Sequence, residues 1–95
     1  MVRDKEFDIS KQLIRSATSI GANVEEAIAG QSKKDFLHKM GIASKEARET
    51  RYWLRLLDKS QMVTIDYQPY LRAVESIINI LTKIVKTSSE LIQNL

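Results

Sequence analysis

The chain contains no cysteine, so a disulfide scaffold and thiolate metal sites are excluded, and the composition fits a reducing, cytoplasmic setting. It has one proline and three glycines in 95 residues, too little punctuation for an all-β protein and suited to a few long helices. A single histidine, His38, leaves no second imidazole for a metal pair, and the Glu-x-x-His spacing of helical di-iron sites is missing. The N-terminus, Met1-Val2-Arg3-Asp4-Lys5-Glu6, is charged where a secretory signal would be apolar. No apolar run approaches the ~18 residues of a membrane span, so a soluble chain with no membrane partner is expected. Nor is there a nucleophile–base pair, a phosphate-binding loop or a cofactor motif, and no catalytic, metal or cofactor residue is assigned.

What the chain does have is helical periodicity. Ile9, Leu13, Ala17, Ile20, Val24 and Ile28 recur at three- and four-residue steps and predict a first helix over about 7–29. Small residues from Ser16 to Ala22 crowd its middle, and Gly21 weakens an isolated helix by ~1 kcal/mol, which asks for close packing in return. Gly30 is read as a left-handed helix end and Ser32 as the cap of the next helix. Glu25 and Glu26 sit at a helix C-terminus, where the dipole disfavours anions, and Lys33 and Lys34 are the nearest candidate partners.

The second helix, about 33–59, organises the rest. One face, Phe36, Met40, Ala43, Ala47, Thr50, Leu54 and Leu57, is an apolar seam. A second face, Ile42, Glu46, Glu49, Trp53 and Leu56, is apolar at both ends, and Ile42, Trp53 and Leu56 are assigned to an oligomer interface. If the bend lies at Gly30-Gln31-Ser32, facing residues sum to about 62, which sets Arg15 beside Glu46 and Glu49 as a structural ion pair. The third face is basic throughout: Lys34, His38, Lys45, Arg48, Tyr52, Arg55 and Lys59. Residues 31–60 hold eight basic and four acidic side chains, against four and five in 1–30 and three and three in 61–95, so the net charge of +3 resides on this helix. A polyanion would meet it there, although charged solvated faces are common on helices.

Thr64 or Asp66 caps the third helix, about 67–94. Pro69 favours Asp66, because it then falls in the first turn, where its missing N–H costs nothing. The seam Tyr70, Val74, Ile77, Leu81, Ile84, Ser88, Leu91, Leu95 and a flanking row Leu71, Ile78, Val85, Ile92 form a wide apolar band that calls for more than one neighbour. The fold class is all-α, one domain of 1–95, an antiparallel up-down bundle with three long helices.

Three segments carry a family resemblance: Gln12-Leu13-Ile14-Arg15-Ser16-Ala17-Thr18-Ser19-Ile20-Gly21-Ala22-Asn23-Val24-Glu25-Glu26-Ala27, then Ser32-Lys33-Lys34-Asp35-Phe36-Leu37, then Ile42-Ala43-Ser44-Lys45-Glu46-Ala47-Arg48-Glu49-Thr50-Arg51-Tyr52-Trp53-Leu54. They resemble the bacterial four-helix-bundle family of 23S rRNA intervening-sequence proteins. The resemblance implies a homo-oligomer, pentameric in known cases. A relative is an accessory protein of diversity-generating retroelements that binds nucleic acid and a reverse transcriptase. Family members carry a further helix before the segment that begins here at Ile9, whereas only Met1 to Asp8 precede it in this chain. Ile42, Trp53, Leu56 and the outer row of helix 3 are therefore expected to be exposed and to drive self-association. Two functions follow: a non-enzymatic homo-oligomer that binds RNA or DNA through the basic stripe, or a protein-interaction scaffold without nucleic-acid affinity.

Overall fold

The computed structural model describes the backbone of residues 2–94 and the side chains of residues 5–94, and every element among them is an α-helix. They are α1 (Val2–Ala29), α2 (Lys33–Ser60) and α3 (Gln68–Gln93). The first begins earlier than the apolar pattern places it. Nothing in the charged stretch before Phe7 stops a helix, and Ser10 Oγ reaches back one turn to donate to Glu6 Oε1 at 2.8 Å. Leu95, the last position of the helix 3 seam, lies outside the described residues.

The α1–α2 turn is tight but is not built on a left-handed glycine: no glycine has a positive φ, and the Gly30 N–H donates to the Ala27 carbonyl at 3.2 Å. Ser32 caps α2, its Oγ accepting from the Asp35 N–H at 3.1 Å. The left-handed residue is Gln61, at φ 52° and ψ 30°, which ends α2 while its N–H donates to the Leu57 carbonyl. At the start of α3, Asp66 stands one residue before the cap position. Its carboxylate accepts from the Gln68 N–H at 3.1 Å, and Tyr67 occupies the cap with no side-chain hydrogen bond. Pro69 falls within the first turn. The Tyr67 side chain goes inward instead: it is buried and its phenol donates to the Val63 carbonyl at 2.7 Å, closing the 61–67 connection over the core.

The helix α2 packs on both its neighbours, yet no described Cα of α1 comes within 8 Å of one in α3. With overall extents of 53 × 20 × 15 Å, the three rods occupy three corners of a square, with α2 at the middle corner. The core follows from this. Met40, Ala43, Ala47, Leu54 and Leu57 of α2 are buried together with Ala27 of α1 and Val74, Ile78 and Leu81 of α3. Each large apolar side chain so buried contributes roughly 1.5–3 kcal/mol.

The α1–α2 interface is polar at its centre. The Thr50 hydroxyl lies 2.8 Å from the Glu46 carbonyl and 2.9 Å from Ser16 Oγ, and Ser16 Oγ lies 3.1 Å from the Leu13 carbonyl. Two hydroxyl protons serve three contacts, so one contact is always without a proton, and rotation of the hydroxyls only moves it from one pair to another.

The fourth corner is an open apolar groove of about 370 Å³, lined by Ala17, Ile20 and Gly21 on one bank, Tyr70, Ala73 and Ile77 on the other, and Thr50 and Leu54 on the floor. The division of labour within α3 differs from the sequence pattern: Ile78 of the flanking row is buried and Leu71, Val85 and Ile92 are half-buried, while Tyr70, Ile77 and Leu91 of the seam are exposed. On α1, Ala17 and Ile28 likewise face outward rather than toward α2. Of the small residues in the middle of α1, Ser16 is fully buried against α2, whereas Ala17, Thr18, Gly21 and Ala22 are exposed, and a Cβ added at Gly21 would meet nothing within 4 Å.

Candidate nucleic-acid interface

The back of α2, opposite the groove, is set by the same periodicity that buries its front. Lys34, His38, Lys45, Arg48, Tyr52, Arg55 and Lys59 are all exposed. From Lys34 to Lys59 they form a line about 38 Å long at 1.5 Å per residue. Lys59 falls in the last turn, where the helix dipole favours a cation, and Asp35 in the first, where it favours an anion.

Charge pairing separates this line from its flanks. Toward α1, Arg15 holds both Glu46, at 3.3 Å from Nη1, and Glu49, through Nη2. The hydrogen bond to Glu49 is the main reason that the Arg15 pKa is raised, so this guanidinium stays charged and ties both carboxylates to the α1 side. Nearer the hairpin, Lys39 Nζ lies 2.8 Å from Glu26 Oε2. Lys39, in the second turn of α2, thus takes the role that Lys33 and Lys34 were expected to fill, because it points at α1 while they sit at the exposed tip. Toward α3, Arg51 donates to both Glu75 oxygens, at 3.1 and 3.0 Å.

Among the described residues no ion pair includes Lys34, Lys45, Arg48, Arg55 or Lys59. Glu46 and Glu49 of α2, Glu26 of α1 and Glu75 of α3 are drawn off to the two helix–helix seams, while Asp35 and Asp58 of α2 are in no ion pair among the described residues. Arg48 is steered without being neutralised, since its Nη2 donates to Thr82 Oγ1 at 2.9 Å. That hydrogen bond brings α3 to the edge of the stripe, where His38, Gly41 and Lys45 line a shallow groove with Ile42, Val85 and Ser89. The α3 residues escape sequence reasoning because periodicity within one helix does not say which neighbour lies beside it.

Two aromatics complete the surface. The exposed Tyr52 meets Trp53 edge to face, with ring centroids 4.9 Å apart and planes at 72°. A phenol so braced loses little freedom when a flat ring stacks on it. Ile42, Trp53 and Leu56 are each half-buried. The Trp53 Nε1 atom is itself buried without an acceptor among the described residues. Among the described residues no group of three or more His, Cys, Asp or Glu side chains could hold a metal ion, and no helix is long and apolar enough to cross a membrane. This face of α2 thus carries a line of exposed cations with one exposed aromatic ring, Tyr52, among them.

Comparison with known proteins agrees with the helical architecture. A family model described as 23S rRNA-intervening sequence protein matches residues 1–83. No curated protein matches the chain. Among solved structures the chain is similar to a protein of unknown function from the S23 ribosomal protein family of Bacteroides thetaiotaomicron, at 46% sequence identity and a TM-score of 0.80 over 87% of this chain and 78% of that one.

Proposed function

Since the chain belongs to the 23S rRNA-intervening sequence protein family, whose structural neighbour has no assigned function, we propose that it is a non-enzymatic, self-associating helical protein. In this reading it binds RNA or DNA along the back of α2. The observation that carries it is the partition of charge: Glu26, Glu46, Glu49 and Glu75 are engaged at the helix seams, while five cations on a single exposed line are left without a carboxylate among the described residues. Such a line contacts phosphates and carries no base information, so binding is weakly sequence-selective and driven by counterion release. Tyr52, between Arg48 and Arg55, supplies stacking for an unpaired base. Self-association multiplies the line by the number of subunits and raises the apparent affinity accordingly.

A second reading, a protein-interaction scaffold indifferent to nucleic acid, draws on the exposed apolar banks of the open groove. Light scattering separates the two. The purified chain is weighed alone and with a short single-stranded RNA at low and at moderate salt, beside an R48E/R55E variant. The proposed function requires RNA uptake by the wild type at low salt, release at higher salt, and loss of uptake by the variant at unchanged mass and helicity. Equal uptake by both would refute the stripe, and no uptake by either would leave the scaffold.

A further inference from the structure

The shallow groove between α2 and α3, at the edge of the stripe, holds a residue that packing inside the chain does not explain. Gly41 stands in the interior of α2, where glycine weakens a helix relative to alanine. A close neighbour would justify it, yet a Cβ added there would meet nothing within 4 Å. The absent side chain leaves a bare strip of helix backbone on the floor of the groove, with His38 one turn before it and Lys45 one turn after. Ile42 of the same helix and Val85 of α3, both half-buried, extend that floor.

The rim of the groove is polar. On α3 the Thr82 hydroxyl accepts from Arg48 and the Ser76 hydroxyl donates to the Arg72 carbonyl, whereas the Ser89 hydroxyl, on the rim, has no partner among the described residues. Neither His38 nor Lys45 is in an ion pair among them. Gly21 is as open as Gly41, but no charged side chain lines the groove that it faces. An apolar floor ringed by a few convergent polar groups is the build of a small-ligand site, and about 420 Å³ lies within the ~300–1,000 Å³ of such sites. Lys45 belongs to the groove and to the stripe alike, so a phosphate chain held by the stripe passes the mouth of the groove.

We propose that this groove is a base pocket, in which one unpaired nucleobase of the strand held by the stripe lies flat against the backbone at Gly41, over Ile42 and Val85, with its edge toward His38 and Ser89 and its phosphate on Lys45. A serine hydroxyl donates or accepts, so the pocket takes bases of either pattern and binding stays weakly sequence-selective. The inference rests on the proposed nucleic-acid binding along α2 and narrows it to single strands, because a paired base enters a pocket only at the cost of leaving its stack. Gly41 and Tyr52 lie about 16 Å apart along the helix axis, so the pocket and the tyrosine take different bases of one strand.

The test compares oligouridine of about 12 nucleotides, enough to cover the ~38 Å line at ~3.4 Å each, with the same ribose-phosphate backbone without bases. Fluorescence anisotropy at low salt gives both affinities for the wild type and for Gly41→Leu, which fills the open space with a good helix former and melts no lower than the wild type by circular dichroism. The abasic strand is a second control on the fold, since it reads the cations of the same helix. The pocket requires Gly41→Leu to weaken oligouridine about tenfold, through the lost burial of one base, and to leave the abasic strand within about twofold of the wild type. A ratio of the two affinities that Gly41→Leu leaves unchanged, whether both fall together or neither moves, overturns the pocket and leaves the stripe standing. A wild type that binds neither strand overturns both.

Discussion

The salt dependence of RNA binding gives the most quantitative test of the basic stripe. Five cations, Lys34, Lys45, Arg48, Arg55 and Lys59, are exposed and outside any ion pair among the described residues, so one subunit can neutralise up to five phosphates. For a single strand the slope of log K against log salt is then about −3.5, and raising salt from about 50 to 200 mM weakens binding roughly a hundredfold. Removing two of the five by R48E/R55E reduces the slope to about −2 and also lowers affinity at every salt concentration. Fluorescence anisotropy of a labelled RNA, titrated at four or five salt concentrations, reads the slope directly. Circular dichroism guards against trivial unfolding, since Arg48 is tied to the rest of the fold by a single exposed hydrogen bond to Thr82 among the described residues. A wild-type slope shallower than about −1, or one unchanged in the double variant, would refute the claim that these five side chains meet the phosphates.

Three stability predictions follow from the fold. A Cβ at Gly41 would meet nothing within 4 Å, so Gly41→Ala should stabilise the chain by up to about 1 kcal/mol in urea denaturation. Gln61→Gly relieves a left-handed backbone at the end of α2 and should be neutral to stabilising by about 1 kcal/mol, net of the side-chain bond to Asp58 that it removes. Burial, and then the charges of Asp58 and Glu6, raise the Tyr67 pKa above its ordinary 10.0. The folded phenol therefore keeps its proton at pH values where the unfolded one has lost it. Its contribution is complete below about pH 10 and is lost as pH rises through the folded value. Tyr67→Phe should cost about 1 kcal/mol at neutral pH, through the bond to Val63, and should flatten the alkaline decline seen by thermal melts across about pH 9–12.

The apolar spacing of Met40, Ala43, Ala47, Leu54 and Leu57 reveals the front of α2 without any structure, because an amphipathic stripe on a central helix has only one way to be buried. The facing rule for the hairpin likewise sets Arg15 between Glu46 and Glu49, where the structure has it. The flanking helices are less transparent. Ala17 and Ile28 share the three- and four-residue steps of Leu13 and Ile20, yet they look away from α2. Periodicity says that a face is apolar and not whom it faces. The departures at the helix ends have a similar origin. Gly30 and Asp66 are suitable residues for a left-handed end and a cap, but α1 ends through an i→i−3 bond from Gly30 to Ala27, and Asp66 serves the Gln68 N–H from one residue before the cap position, which Tyr67 holds with its side chain turned inward. For the stripe, exposure follows from spacing alone; its lack of counter-charges depends on where Lys39 and Arg51 send the acids, which needs three dimensions.

That α1 and α3 each touch α2 but, among the described residues, approach each other nowhere within 8 Å makes the chain a hub with two spokes. Either spoke can detach while the other stays docked, so opening fluctuations divide into two independent kinds, and neither exposes the whole of α2. Amide hydrogens of α2 should exchange slowest, those of α1 and α3 faster and at rates that respond separately to mutation. Because each interface joins helices adjacent in the chain, assembly needs no distant segments to find one another, and folding should be rapid. A protein built this way tolerates damage to one edge without surrendering the other.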